Sequence, residues 1–278
     1  MQDSYKNGKN GRYGYITSRS NQLIIATAAL SEKKYRDRRG CFVFEGRKLL
    51  CDALASDAEI VSVFIREDVS LDLVSGLPED KVTVVTPEVY DKISGEKSPE
   101  GILCVAKHID FLHKFVTIYN CDGNASGTKF MAAQIRDPGN LGTMIRNANA
   151  LGIDEFIISS DCADLYNRRT VRAAMGALFR QKITVCADIY SAVYALRKNG
   201  YRVSAAALSG DSVKLNDMQI SGRDCFLVGN EGHGLEKDLI DICSGSVIIP
   251  MREGSESLNA AAAAAILMWE TGKGSWIG

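Results

Sequence analysis

The 278-residue chain is 46% hydrophobic and 24% charged, proportions of a soluble globular protein long enough for one large domain or two ordinary ones. No apolar run reaches the length of a membrane span, and the eight cysteines are scattered with no C-x-x-C pair, which argues against a membrane protein, a zinc site and a disulfide framework. Net charge is −1, yet the first 50 residues hold 11 Lys and Arg against 4 Asp and Glu, an imbalance that suits a polyanionic partner such as nucleic acid or, more plainly, a solvated helix face.

Residues 1–15 are Gly, Asn, Lys and Tyr without periodicity and read as a flexible basic tail. No apolar segment follows at signal-peptide spacing. With the cysteine usage, this leads to the expectation of a cytoplasmic protein with buried, inert thiols. The densest basic stretch is "KKYRDRR", Lys33 to Arg39. In "EGRKLLCDALAS" the apolar Leu49, Leu50, Ala53 and Leu54 recur at helical spacing. "IVSVFIR" and "VTVVT" read as strands, "PEVYDKI" as a short helix and "GILCVAK" (101–107) as a further strand. This is a small α/β unit ending near 107, followed by the connection "HIDFLHK".

Beyond it the alternation restarts. Strands are expected at 129–135, 155–160, 202–208, 225–230 and 246–250. Helices are expected at 140–151, 167–180, 188–199 and 234–243, with an alanine-rich one from about 257. Continuous apolar strands separated by helices mean an α/β fold with a parallel sheet covered on both faces. Ligands of such sheets bind beyond the carboxyl ends of the strands.

Three loops at such ends carry chemistry. In "IRDPGNLGTMIRNANALG", a turn over Asp137–Asn140 leads into a helix from which Arg146 projects beside the loop, placed to hold a phosphate or carboxylate or to pair with a surface acid. In "FLVGNEGHGLEKDLID", Gly229, Gly232 and Gly234 permit close approach to the main chain, and Glu231 suits a helix cap near Leu235. The spacing G-x-x-G-x-G disfavours a dinucleotide site, and the absence of G-K-[ST] at such a loop excludes a phosphate loop. In "IPMREGSESLNAAAAAAILMWE", Ser257 is a good N-cap and the alanine run suits either close packing or plain helix propensity.

Together, "DPGNLGTMIRNA", "VGNEGHGL" and "IPMREGSESLNAAAA" closely resemble the three motifs of the SpoU/TrmH family of RNA ribose 2′-O-methyltransferases, within the SPOUT class. "SNQLIIATAALSEKKYRDRRGCFVFEGRKLLCDAL" and "SPEGILCVAK" look like that family's accessory RNA-binding domain. The resemblance implies an accessory domain over 16–107, a linker over 108–116, and over 117–278 a parallel-sheet domain with a deep trefoil knot. It implies S-adenosylmethionine at Leu208, Ser209, Gly210, Val228, Gly229, Asn230, Gly232, Ile249, Met251, Ser257 and Leu258, and no metal. It makes Arg146 the central catalytic residue, oriented with the ribose by Asn140, Glu231, Ser257 and Asn259. Arg146 then stabilises the developing alkoxide, since a permanently charged guanidinium is a poor base. His233 is a base candidate as an imidazole and ranks below it. Lys33, Lys34, Arg36, Arg38 and Arg39 become candidates for RNA contacts, and Arg168 and Arg172 for RNA or the partner in a homodimer. The implied substrate is structured RNA, ribosomal before transfer RNA, with a non-catalytic RNA-binding or assembly protein as the competing class. Ala174 stands where the family usually has serine, and Glu100 where glutamine is common.

Overall fold

The structure, a computed structural model, describes residues 6–7, 12–109, 127–230, 232–252, 254 and 257–276. The chain forms two compact units. One comprises residues 1–109 with 166–179, the other 110–165 with 180–278.

The first unit contains β1 (Lys6–Asn7), β2 (Gly14–Ile16), α1 (Gln22–Ala29), α2 (Lys33–Arg39), β3 (Cys41–Glu45), α3 (Arg47–Leu54), β4 (Ile60–Arg66), β5 (Val82–Val85), α4 (Pro87–Ile93) and β6 (Ile102–Lys107). Its mixed sheet runs β1-β2-β5-β4-β6-β3. Pairing therefore begins inside the stretch whose composition reads as a tail, because β1 pairs with β2 and β2 runs parallel to β5. Two helices and three strands were not legible in the sequence here. The short β3 borders a basic helix, which hides its ends. Ile24, Leu30, Val43, Phe64, Val89, Tyr90 and Leu103 meet in the core. Glu100 has a local structural role: its Oε2 accepts from the Arg47 backbone N–H at 2.9 Å and places a carboxylate at the N-terminus of α3.

The segment Tyr166–Phe179 belongs to this first unit. It forms the helix α6 (Arg168–Ala174), capped by Asn167, and a 3₁₀ turn at Ala177–Phe179, shorter than the continuous helix expected over 167–180. Met175 at φ 49° and Gly176 at φ +80° stop it, since left-handed residues end a helix. Phe42 packs on Tyr166 with ring centroids 4.6 Å apart. Ala174 is fully buried, so it is a packing position without a hydroxyl to satisfy and without access to RNA.

The second unit holds β7 (Lys129–Ala132), α5 (Pro138–Ala150), β8 (Glu155–Ser159), β9 (Ile183–Cys186), α7 (Ile189–Lys198), β10 (Arg202–Ala206), β11 (Val213–Lys214), β12 (Asp224–Val228), α8 (Lys237–Asp241), β13 (Gly245–Ile248) and α9 (Ala260–Trp276). Its seven strands run β11-β13-β10-β12-β7-β8-β9 and are parallel throughout, as the apolar runs imply. Strands β9 and β11 were not foreseen, and β11, with two residues, is too short to carry a pattern. One face of the sheet packs Met131, Ile157, Val203 and Leu227 against Ile189, Val193 and Leu196 of α7 and Leu239 of α8. The alternate residues, Phe130, Phe156 and Phe226, are buried on the opposite face, where α9 packs against α5 and β12.

Inside this sheet Lys129 donates to Glu155 Oε2 at 2.6 Å, with the lysine 5% exposed, and Thr184 donates to Oε1 at 2.5 Å. Burial alone would raise the Glu155 carboxyl. The hydrogen bonds from Lys129 and Thr184, together with the charges of Lys129 and Lys182, outweigh it and hold the group below the ordinary carboxylate range. A lowered folded pKa contributes stability above the unfolded value, about 4.3, which is lost as pH falls through the folded one. Lys129→Met is therefore expected to cost about 3 kcal/mol at pH 7, near the low end for a broken buried pair because Lys182 also reaches Glu155 at 3.4 Å. Urea unfolding at pH 7 and pH 3 checks this: the difference between variant and wild type should shrink at pH 3.

Candidate active site

Because the sheet is parallel, the segments after β7, β10, β12 and β13 all emerge at one edge, from four adjacent strands in the order β13-β10-β12-β7. The first begins α5. Asp137 is its N-cap, with Oδ1 accepting from the Asn140 N–H at 2.9 Å, and Pro138 occupies the first turn where its missing donor is harmless. Asn140 therefore sits in the first turn. Arg146 is exposed two turns further along and makes no ion pair with any described residue.

The last loop delivers Asn259 to the same place. Its Oδ1 accepts from Ala261 N at 2.9 Å and Ala262 N at 3.2 Å, which makes it the N-cap of α9. That corrects the expectation for Ser257, which lies two residues before the cap and is exposed. With its oxygen committed to N–H donors, Asn259 turns its amide nitrogen outward, and Nδ2 donates to Asn140 Oδ1 at 3.0 Å. A residue of the first motif and a residue of the third are thus in direct contact.

The loop after β12 is folded on itself. Asn230 and Gly234 exchange backbone hydrogen bonds at 2.9 and 3.2 Å, and Asn230 Oδ1 gathers the N–H groups of Gly232 at 2.7 Å and His233 at 3.3 Å. Gly234 adopts φ +68°. Gly229 has no room for a side chain: a Cβ there would lie 2.6 Å from the Gly234 carbonyl carbon and oxygen and 2.8 Å from Leu235 Cγ. Glu231 lies outside the described residues. The following helix begins at Lys237, with Glu236 at its cap position.

The loop after β10 is pinned by three serines. Ser209 Oγ lies 2.5 Å from Ser246 Oγ, Ser212 Oγ lies 2.9 Å from Ser246 Oγ and donates to the Ala207 carbonyl, and Ser209 N donates to Ser212 Oγ at 2.7 Å. Leu208 is 87% exposed, and Met251 and Leu258 are 45% and 40% exposed. Large apolar side chains held open to solvent on two neighbouring loops, after β10 and after β13, form a surface suited to a ligand with apolar parts. Gly210 is exposed, Ile249 half-buried. Val228 differs from the others: its side chain is 3% exposed and its carbonyl accepts from Ala133 N, so it ends the strand ladder.

The basic candidates lie in the first unit. Lys33, Lys34, Arg38 and Arg39 are exposed, with Lys33 paired to Asp37 at 2.7 Å and Lys34 to Glu32 at 3.2 Å. Such exposed pairs are weak and leave the charges available. Arg36 faces inward. It is 3% exposed and donates from Nη1 to the Leu30 and Ser31 carbonyls, so it closes the turn after α1 and does not present itself to RNA. Arg168 is likewise engaged, with Glu45 at 3.1 Å and the Ile93 carbonyl at 2.8 Å, while the more exposed Arg172 pairs with Glu96 at 2.6 Å. Among the described residues no group of three or more His, Cys, Asp or Glu is arranged to hold a metal. Ser159, Ser212 and Ser246 and the backbone of Gln134 were not foreseen. The available signal was Ser159, a polar residue following the apolar run Phe156–Ile158 at the ligand-facing edge.

The profile of the SpoU rRNA Methylase family matches residues 128–269, and that of the MRM3-like substrate binding domain matches residues 21–104. The 23S rRNA (guanosine(2553)-2′-O)-methyltransferase RlmP of Bacillus subtilis is 28% identical over 256 residues, covering 91% of this chain and 97% of that protein. The mitochondrial rRNA methyltransferase 3A of Danio rerio is 26% identical, covering 93% of this chain and 70% of that protein. The crystal structure of an rRNA methyltransferase from Sinorhizobium meliloti superposes with a TM-score of 0.82 at 28% identity, covering 95% of this chain and 99% of that one. The AdoMet-bound form of the Sinorhizobium enzyme gives 0.82 at 27% identity.

Proposed function

Because the chain belongs to the SpoU rRNA methylase family, whose members are S-adenosylmethionine-dependent RNA methyltransferases, we propose that it methylates a ribose 2′-hydroxyl of structured RNA, most specifically RNA of the 23S ribosomal type. The observation that carries the ribose assignment is the contact between Asn140 and Asn259 at the start of α5, the helix from which Arg146 projects two turns further along, unpaired with any described residue. The ribosomal assignment is supported by the substrate-binding domain match over residues 21–104 and by what the relatives are named for.

The loops fit S-adenosylmethionine on their own features. Leu208, Met251 and Leu258 offer exposed apolar contact, Gly229 and Gly234 let main chain approach main chain, and the backbone groups at 208–210, 249–252 and 257–258 supply donors and acceptors. When bound there, the sulfonium supplies an electrophilic methyl group. The protein's own task is to hold the 2′-oxygen in line and to ease loss of its proton. Arg146, permanently charged, stabilises the oxygen as negative charge develops, and Asn140, fixed by Asp137 and Asn259, orients it. Glu231 belongs to this proposal as an anchor for Arg146 or the ribose, and Ser257 as a ribose contact. Lys33, Lys34, Arg38 and Arg39 supply phosphate contacts in the accessory domain. The trefoil knot is part of the same reading.

The test is transfer of labelled methyl from S-adenosylmethionine to ribosomal and transfer RNA, followed by mapping of ribose methylation. A mapped 2′-O-methyl in 23S-type RNA is expected. Label confined to a base overturns the ribose assignment, and label confined to transfer RNA overturns the ribosomal one.

We also propose that the protein acts as a homodimer through α9. Ile266 and Trp269, three residues apart and therefore on one helix face, are 37% and 47% exposed. Sedimentation is expected at twice the 30.2 kDa chain mass. Trp269→Glu should shift the protein to monomer. A wild-type monomer at all accessible concentrations would remove this part of the reading.

A further inference from the structure

Gln134 and Met175 are the two non-glycine residues with positive φ among those described. Met175 ends a helix, where a left-handed residue is ordinary. Gln134, at φ +57°, does not; it stands between β7 and the first motif. A left-handed L-residue persists where its surroundings over-determine it. Here both of its backbone polar groups are held by side chains. Its N–H donates to Ser159 Oγ at 2.9 Å, and its carbonyl accepts from Asn230 Nδ2 at 2.9 Å. Ser159, itself 6% exposed, is set for that role because its hydroxyl proton is committed to Asp161 Oδ1 at 2.5 Å.

The neighbours show what the turn accomplishes. Ala133 N still bonds the Val228 carbonyl in the ladder with β12, whereas the Ile135 carbonyl already accepts from Ala163 N at 2.7 Å. The chain therefore leaves one neighbour and joins another across Gln134. Three residues later Asp137 caps the helix bearing Asn140 and Arg146. On the other side, the same Asn230 that grips Gln134 gathers the Gly232 and His233 N–H groups. The second-motif loop and the first-motif helix thus share one anchor.

We infer that Gln134 and Ser159 are positioning residues for methyl transfer: the left-handed turn, clamped between Ser159 and Asn230, sets the spacing between the loop 229–234 and the helix that carries Asn140 and Arg146. This rests on reading that loop as the donor side and that helix as the acceptor side. The requirement is one of backbone conformation, so glycine at 134 satisfies it and a β-branched residue does not.

The experiment uses the full chain with S-adenosylmethionine and its RNA substrate, and compares Ser159→Ala, Gln134→Gly and Gln134→Val. Amide exchange at Gly232 and His233, measured by NMR on the free protein, is expected to quicken about fivefold in Ser159→Ala, the scale of one lost hydrogen bond. Single-turnover methyl transfer should fall about tenfold in that variant, the scale on which small misplacements act, with RNA KM and donor Kd within about twofold. Gln134→Gly should keep the wild-type rate within about threefold, and Gln134→Val should lose more than Ser159→Ala. Since Gln134→Val is the variant at risk of misfolding, Ser159→Ala decides. If folded Ser159→Ala exchanges and transfers methyl as wild type does, or exchanges faster with an unchanged rate, the inference is overturned. A wild type inactive on RNA would instead sink the proposed function, and the exchange readout would still decide whether the clamp couples the two segments.

Discussion

Arg146→Ala is expected to lower single-turnover methyl transfer by about 10²–10³-fold while leaving donor affinity within about twofold, because a preorganised cation stabilises charge present only in the transition state. Arg146 is exposed and unpaired with any described residue, so its removal exposes no buried partner and should leave thermal stability nearly unchanged. Arg146→Lys keeps the charge and loses the planar fork. It should recover only part of the rate, about tenfold above alanine. Rapid-quench transfer assays with calorimetric donor titrations separate the two effects. An alanine variant that transfers methyl at more than a tenth of the wild-type rate would remove Arg146 from the mechanism.

Gly229→Ala carries the second large effect. A methyl group would stand 2.6 Å from the Gly234 carbonyl carbon and oxygen, and those are main-chain atoms that cannot swing aside as a side chain can. The loop must open or the strand end must shift. Either disturbs the Asn230–Gly234 pairing and the N–H groups gathered by Asn230. Overpacking of this kind costs about 1–3 kcal/mol, so donor affinity should weaken about 10–100-fold if the strain falls on the loop. The first unit, which contains no part of this loop, should melt as before. A Gly229→Ala protein with wild-type donor affinity would show that the loop does not contact the donor. Gly210→Ala makes a useful contrast, since nothing lies within 4 Å of a Cβ built there and φ is not left-handed.

Several site features were readable in one dimension because local chemistry determines them. The parallel sheet follows from runs such as the "CFLV" of residues 225–228, buried at every position, which only a doubly covered strand allows. The loop glycines marked where backbones come close, and Gly229 and Gly234 do so. The Ser257 cap failed for an equally local reason: Asn259 is as good a cap, and α9 starts one residue after it. Arg36 failed because a charged cluster does not announce which member turns inward to satisfy the carbonyls ending the preceding helix.

By itself, the sequence determined the type of most strands and helices, the three chemical loops and the residues offering charge at them, since burial period, turn chemistry and side-chain identity are properties of short stretches. The tertiary structure alone decided which residues meet. Asn140 and Asn259 lie 119 positions apart, and Gln134 and Asn230 lie 96 apart. They come together because β12 inserts beside β7 and β13 lies beyond β10. That strand order is set by side-chain packing across two faces of a sheet, and no window along the chain contains it.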